Sequence, residues 1–394
     1  MKSIDVLRII KRIMYRGVNM FGERLIIIFA VEHYNPLGVL RSLGEKGIKP
    51  VFIAEKGKSP VSSASKYVGK CHFVDTVEEG YQVLLSEYGN YDQDNKPVIL
   101  CTDDHVLGYL DSRYEELKDR FVLFNAGKTD GINEFIDKGR ILELAEECGL
   151  NIAKTVICDR GVLPENVEYP IITKSISPNV GGWKSDVFIC QNEKELEEAY
   201  TKIKAPKVLV QKYIDKKNEL EYYGYSINHG QDVFISIGVD YLYLIPGYYS
   251  PYMNVFEPPY KEVQDKIAAM IKKIGFEGIF SVEFLRDDND ELYFLEINFR
   301  IATWCHSSTY VGMNLPYQWI ESTLDGEIKK EYYKPFKTFR AMVEPIDYGK
   351  RVDSGKITIA EWAKDFKETE FTYYYDSKDL EPYKVMCENW DKLK

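Results

Sequence analysis

The stretch 279–300, IFSVEFLRDDNDELYFLEINFR, admits few structures. Two apolar-rich runs flank DDND, and a break of that kind between strand-like runs signals a hairpin. Side chains alternate faces along a strand. In the first run Phe280, Val282 and Phe284 form an apolar face, and Glu283 points the other way. In the second, Tyr293, Leu295, Ile297 and Phe299 share one face, while Leu292, Phe294, Glu296, Asn298 and Arg300 share the other. Pairing Arg286 with Glu291 sets Glu283 opposite Phe294, with Glu296 its diagonal neighbour roughly 7–8 Å away. Carboxylates that close repel unless a proton or a cation lies between them. Asn298 adds a third oxygen donor, a set suited to Mg2+, and Arg300 would hold a phosphate or acyl-phosphate oxygen beside it. An exposed amphipathic hairpin with a solvated acidic face has the same pattern, so both readings stay open on these residues alone.

At 394 residues the chain is long enough for two or three domains. A formal net charge of −11 argues against a dedicated nucleic-acid binder. The seven cysteines include no CxxC pair, which reads as reduced thiols in a cytoplasmic protein. The five histidines show no HExxH spacing. The longest clean apolar run, 25–31, is far short of the ~20 residues a membrane span needs, so no transmembrane segment is expected. Residues 1–20 mix Lys and Arg with Ile and Leu, as an amphipathic surface helix would; contact with a membrane surface is the alternative.

Residues 24–125 alternate short apolar runs with helical patterns, which predicts a parallel α/β sheet. Strands are expected at 24–30, 50–54, 71–74, 98–101 and 121–124. Glu32 to Pro36 follow the first strand, at the edge where an open parallel sheet binds ligands. Thr102, Asp103, Asp104 and His105 reach the same edge, where an acid is read chiefly as a helix N-cap. There is no GxGxxG. Residues 126–150 read as helix, with Ile141, Leu144, Ala145 and Cys148 at helical spacing and Gly149 as the stop. Lys174 ends an apolar strand, a costly position unless it meets an anion. The loop after it contains Gly181 and Gly182, whose backbone N–H groups could close over phosphates. A polar helix at 192–204 precedes the strand VLVQKYI, and Glu219 and Glu221 then alternate onto one face of NELEYYGY. The tyrosine-rich segment 241–260 reads equally as a substrate wall or a packed loop, and 260–275 as an amphipathic helix.

The runs EFL and FLEINFR resemble the metal-binding end of the ATP-grasp superfamily, which includes biotin carboxylase, D-alanine–D-alanine ligase and D-aspartate ligase. The order Lys138, Lys174, glycine loop, 211–214, Glu219, Glu283, then Glu296, Asn298 and Arg300 is similar to theirs over about residues 24–325. The resemblance implies an α/β chain with the ATP-grasp fold, an N-terminal parallel α/β (pre-ATP-grasp) domain at 1–125 and an ATP-grasp module at 126–329. A mobile lid subdomain would span about 152–210, and 330–394 would be a C-terminal extension packed on the module. It implies ATP and Mg2+ (or Mn2+) as cofactors, with Lys138 and Lys174 on the phosphates under Gly181 and Gly182. Gln211, Lys212 and Ile214 would meet the adenine, Gln211 standing where most relatives carry Glu but still able to accept from the amino group. Glu219 would take the ribose hydroxyls, and Glu221 would support Lys174 or a metal. Glu283, Glu296 and Asn298 would be the metal ligands, and Arg300 and Lys174 catalytic. Trp304, His306 and Ser307 would face the acceptor, with His306 a candidate base or a structural residue. The implied activity is that of a carboxylate–amine ligase of the D-aspartate ligase type, acting on small-molecule carboxylate and amine partners. A carboxylase, a thiol ligase and a nucleotide-binding regulatory module without turnover are the alternatives. Many relatives are dimers, so a homodimer is allowed.

Overall fold

The computed structural model describes residues 24–57, 60–91, 93–176, 183–245 and 249–390. The expected helix at 1–20 and the glycines Gly181 and Gly182 lie outside the described residues. Near the N-terminus, β1 (Ile26–Val31), β2 (Val51–Glu55), β3 (Lys70–Val74) and β4 (Val98–Leu100) form a parallel sheet in the order β3-β2-β1-β4. Parallel neighbours need crossovers: the helix Asn35–Gly44 joins β1 to β2, the connection from β2 to β3 has no helix among the described residues, and the helix Val77–Tyr88 carries the chain from β3 toward β4. The expected strand at 121–124 is reduced to one bridge, Val122 to Val98. The chain leaves that edge at once, because Asn125 pairs with Glu277 of the larger sheet. Asp103 is an N-cap: it accepts from the backbone N–H of Val106 at 2.8 Å and of Val31 at 2.9 Å.

The helix expected over 126–150 is broken. Short Asn133–Ile136 is followed by Lys138–Glu147, and Asp137 between them caps the second through Gly139 and Arg140. Next, β5 (Thr155–Asp159), β6 (Ile171–Ser175), β7 (Ile189–Cys190) and β8 (Lys207–Lys212) make an antiparallel sheet in the order β5-β8-β6-β7. Its outer face buries Ile171, Cys190, Val208 and Val210 against Leu196 and Ala199 of the helix Glu193–Tyr200. This small core is separate from the main one, a condition for moving as a unit.

The third sheet has seven strands: β9 (Asn218–Ile227), β10 (Asp232–Tyr241), β11 (Tyr252–Phe256), β12 (Gly278–Arg286), β13 (Leu292–Asn298), β14 (Phe339–Met342) and β15 (Phe371–Thr372), in the order β13-β12-β9-β10-β11-β14-β15. Ile267, Met270, Ile271 and Ile274 of the helix Lys261–Ile274 are buried in its core. The C-terminal residues continue this sheet through β14 and β15 and also lock onto the first one. The Arg41 guanidinium, 1% exposed, donates to the carbonyls of Tyr373 (2.7 Å) and Tyr374 (3.0 Å) and to Asp379 (3.1 Å). Among the described residues, no helix is long and apolar enough to cross a membrane.

Candidate functional site

The hairpin forms, but in another register. Arg286 pairs with Leu292, and a bulge at Leu295 sets Glu283 directly opposite Glu296 rather than opposite Phe294. The extra residue turns Phe294 to the apolar side, where its ring lies 5.9 Å from that of Phe284. On its other edge β12 pairs Glu283 with Glu221 of β9. Three glutamates, Glu221, Glu283 and Glu296, therefore stand in one row across three adjacent strands. Carboxylate oxygens of Glu219, Glu221 and Glu283 lie within 4.8 Å of one another. Like charges directly opposed destabilise a sheet.

The row is held by other side chains. Asn298 donates to Glu283 Oε1 (2.8 Å) and to Ser281 Oγ (3.3 Å), and its own oxygen accepts from Arg300 (3.1 Å). Lys138, carried by the first turn of its helix, pairs with Glu296 at 3.0 Å. The Tyr223 hydroxyl donates to Glu221, the Tyr241 hydroxyl to Glu219 at 2.6 Å, and Lys216 also donates to Glu219. Burial, with Glu221 and Glu296 adding repulsion, pushes the Glu283 carboxyl well up. Burial likewise raises Glu221 to about 7, against the Tyr223 hydrogen bond. Burial works to raise Glu296 too, but Lys138, with Lys174 and Arg300, holds it below its ordinary value. An all-oxygen set with surplus buried negative charge suits a hard divalent cation.

The small antiparallel sheet brings Lys174 toward this face. Burial, with repulsion from Lys138, lowers its ammonium to about 8. Its partner is Gln211, not Glu221: Nζ donates to Gln211 Oε1 at 3.0 Å, and Gln211 Nε2 donates to Thr155 at 2.9 Å. Of the two roles expected of Glu221, support of Lys174 or of a metal, the structure leaves the second, since Glu221 faces Glu283, while the Gln211 oxygen accepts from Lys174 and keeps a further lone pair. Lys212 donates from Nζ to the Tyr169 carbonyl (3.2 Å) and from its backbone to Lys154 (2.8 Å); Ile214 follows β8.

The expected acceptor loop is not open to substrate. Trp304 and Ser307 are buried. His306 packs between the rings of Phe371 (5.1 Å) and Tyr373 (5.6 Å), and burial drives its imidazole down to about 3. It is a core residue and not a base. In the tyrosine-rich segment, Tyr243 donates to Asp347 and Tyr252 is buried in the sheet, so these two belong to packing. Two site residues escaped the sequence reading, Lys216 and Tyr223, while Asp104 and Tyr241 appear in it without a link to this site. Tyr223 follows Glu221 by two residues on one strand, a signal the alternation rule could have supplied. Asp104, whose Oδ2 lies 3.4 Å from Arg300 Nε, is placed at the ligand edge of the parallel sheet by its position after a strand, with nothing to link it to Arg300.

A family model described as ATP-grasp in the biosynthetic pathway with Ter operon matches residues 259–345. Solved structures align over most of the chain. An L-amino acid ligase from Bacillus licheniformis has a TM-score of 0.58 at 16% identity, covering 80% of this chain and 79% of that one. The N5-carboxyaminoimidazole synthetase of Staphylococcus aureus has a TM-score of 0.63 at 15% identity, covering 84% and 85%. This chain has the ATP-grasp fold. The likeness extends to sequence: the 2-oxoglutarate carboxylase small subunit of Hydrogenobacter thermophilus is 28% identical over 42% of this chain. The N5-carboxyaminoimidazole ribonucleotide synthase of Staphylococcus aureus is 26% identical over 38% of it. The chain spans 38% of the length of either curated relative. The Hydrogenobacter biotin carboxylase domain, similar at a TM-score of 0.60 and 19% identity over 79% of this chain and 73% of that one, was solved with MgADP and bicarbonate.

Proposed function

We propose that this ATP-grasp protein is a ligase that uses ATP and Mg2+ to join a small carboxylate to an amine through an acyl phosphate, releasing ADP and phosphate. The observation that carries the reading is the row Glu221, Glu283 and Glu296, closed by Asn298 and flanked by Lys138, Lys174 and Arg300. The chemistry of these donors fits the metal: Glu283, Glu296 and Asn298 would hold Mg2+ (or Mn2+), with Glu221 as a further carboxylate beside them. Bound there, Mg2+ would supply charge neutralisation of the triphosphate and polarisation of its terminal phosphoryl group. Lys138 and Lys174 would turn from Glu296 and Gln211 to phosphate oxygens, and backbone N–H groups of Gly181 and Gly182 are the further donors expected there. The backbone of Lys212 and Ile214 reads the base edge beside Gln211, and Glu219 accepts from the ribose.

A carboxylate oxygen of the substrate attacks the γ-phosphorus, the bond to the β,γ-bridging oxygen breaks, and ADP leaves. The amine nitrogen then attacks the acyl carbon, the carbon–oxygen bond to phosphate breaks, and the nitrogen gives up its proton to water. Arg300 and Lys174 stabilise the charge that grows on the transferred group. The names of the relatives also support a second reading in which bicarbonate or another nucleophile replaces the amine. In either case the division into 1–125, 126–329 with a lid near 152–210, and 330–394 supplies substrate wall, catalytic module and brace.

The test is ADP release, measured with MgATP against a panel of amino acids and small carboxylic acids, singly and in pairs, with and without bicarbonate. Release that needs both a carboxylate and an amine supports the ligase. Release that needs bicarbonate moves the assignment to a carboxylase. Nucleotide binding with no acceptor-dependent release in any mixture makes the chain a regulatory module.

A further inference from the structure

Asp104 belongs to the N-terminal parallel sheet's side of the molecule, yet it reaches the candidate catalytic arginine. It is the first residue of the helix Asp104–Asp111, whose start Asp103 pins through Val106 and Val31. The loop that carries Arg300 is stitched to the same edge. Ile301 N–H donates to the Cys101 carbonyl at 3.1 Å, and the Asn35 amide donates to the carbonyls of Thr102 (3.0 Å) and Ile301 (3.1 Å). Both backbones are therefore fixed, and only side chains are left to exchange. A guanidinium has five N–H donors. Among the described residues Arg300 uses one toward Asn298 and approaches Asp104 Oδ2 from Nε at 3.4 Å. The Asp104 side chain is 50% exposed. A 3.4 Å contact to a half-exposed carboxylate is weak and screened by salt. A phosphate-like anion can take two parallel N–H donors from the same guanidinium.

We propose that Asp104 is a positioning residue that holds Arg300 in place until the reacting anion displaces it. The inference rests on the reading that Arg300 meets the transferred phosphoryl group. With Asp104 engaged, the guanidinium is kept beside Asn298 instead of collapsing onto Glu283 and Glu296, whose charges it also feels. When the anion arrives it exchanges one carboxylate contact for a bidentate one, so Asp104 and the anion compete for Arg300.

The experiment titrates inorganic phosphate, by calorimetry, into the full chain loaded with MgADP. Wild type is compared with Asp104→Asn, Asp104→Glu, Arg300→Lys and the Asp104→Asn, Arg300→Lys pair. MgADP affinity should be the same in wild type, Asp104→Asn and Asp104→Glu. Phosphate should bind about tenfold tighter to Asp104→Asn, at wild-type strength to Asp104→Glu, and with no gain from Asp104→Asn once Arg300 is Lys. Unchanged or weaker phosphate binding in Asp104→Asn overturns the proposal, as does a gain that survives in the Arg300→Lys background or no phosphate binding by any protein. Those results leave MgADP binding, and so the assignment of the nucleotide site, standing; failure of MgADP to bind wild type removes both.

Discussion

Glu344 and Glu221 are almost equally buried, at 5% and 4% exposed, and their surroundings differ in kind. Glu344 accepts from three consecutive backbone N–H groups, those of Tyr373, Tyr374 and Tyr375, each at 2.9 Å. Asp103 is held in the same manner by two. Glu221 accepts from the Tyr223 hydroxyl and faces Glu283, which in turn faces Glu296. A carboxylate satisfied by backbone is part of the architecture, because its partners cannot leave without unfolding the segment. A carboxylate held by side chains and opposed by its own kind is poised for something it lacks. Burial raises all of these carboxyls, Glu344 and Asp103 included, but only at Glu283 and Glu221 do neighbouring glutamates add repulsion to it.

The contrast can be broken by mutation. Glu296→Ala should reduce ADP release at least a thousandfold, roughly 4 kcal/mol of transition-state stabilisation, while the midpoint of chemical denaturation hardly moves. Substantial turnover in that variant would return the glutamate row to ordinary surface chemistry. Glu344→Ala should do the reverse. It strands three buried N–H groups and should cost about 3 kcal/mol of stability by urea denaturation, with turnover per folded molecule intact.

The smaller effects sharpen the distinction. Without metal, Glu283→Gln should raise stability by about 1 kcal/mol, since it relieves opposed charges, and added Mg2+ should no longer stabilise the protein as it does wild type. Denaturation in chelator and then in Mg2+ tests both halves. Lys174 gives a pH signature. Its folded-state value of about 8 lies below that of an unfolded lysine. Between those values the unfolded chain holds a proton that the folded chain has shed, so this group makes stability rise with pH across the window. Nucleotide affinity should fall over the same range as the ammonium is lost. Gln211→Glu, which gives Lys174 a charged partner, should move both breaks upward; profiles identical to wild type would show that Gln211 does not set the Lys174 charge.

The hairpin was legible from DDND between two apolar runs, and four of the five expected N-terminal strands were legible from buried runs separated by helical spacing. The glutamate register was not. The bulge at Leu295 sits inside an apolar run, Tyr293 to Leu295, where inserting one residue leaves the composition of the run unchanged. His306 looked available because no local pattern distinguishes a histidine beside the site from one beneath it. Phe371 and Tyr373, which enclose it, come from more than sixty positions later in the chain.

Sequence by itself determined which strands and helices form, because propensity and apolar periodicity act over a few neighbours. It also determined that Glu283, Glu296, Asn298 and Arg300 come close together, because a short turn folds one run back on the other. Only the tertiary structure decided that Glu221 completes a row with Glu283 and Glu296, that Gln211 occupies Lys174, and that Asp104 reaches Arg300. Each of those contacts joins strands, sheets or loops distant in sequence. The cross-chain register and packing that create them depend on the whole core and leave no local trace in the residues they bring together.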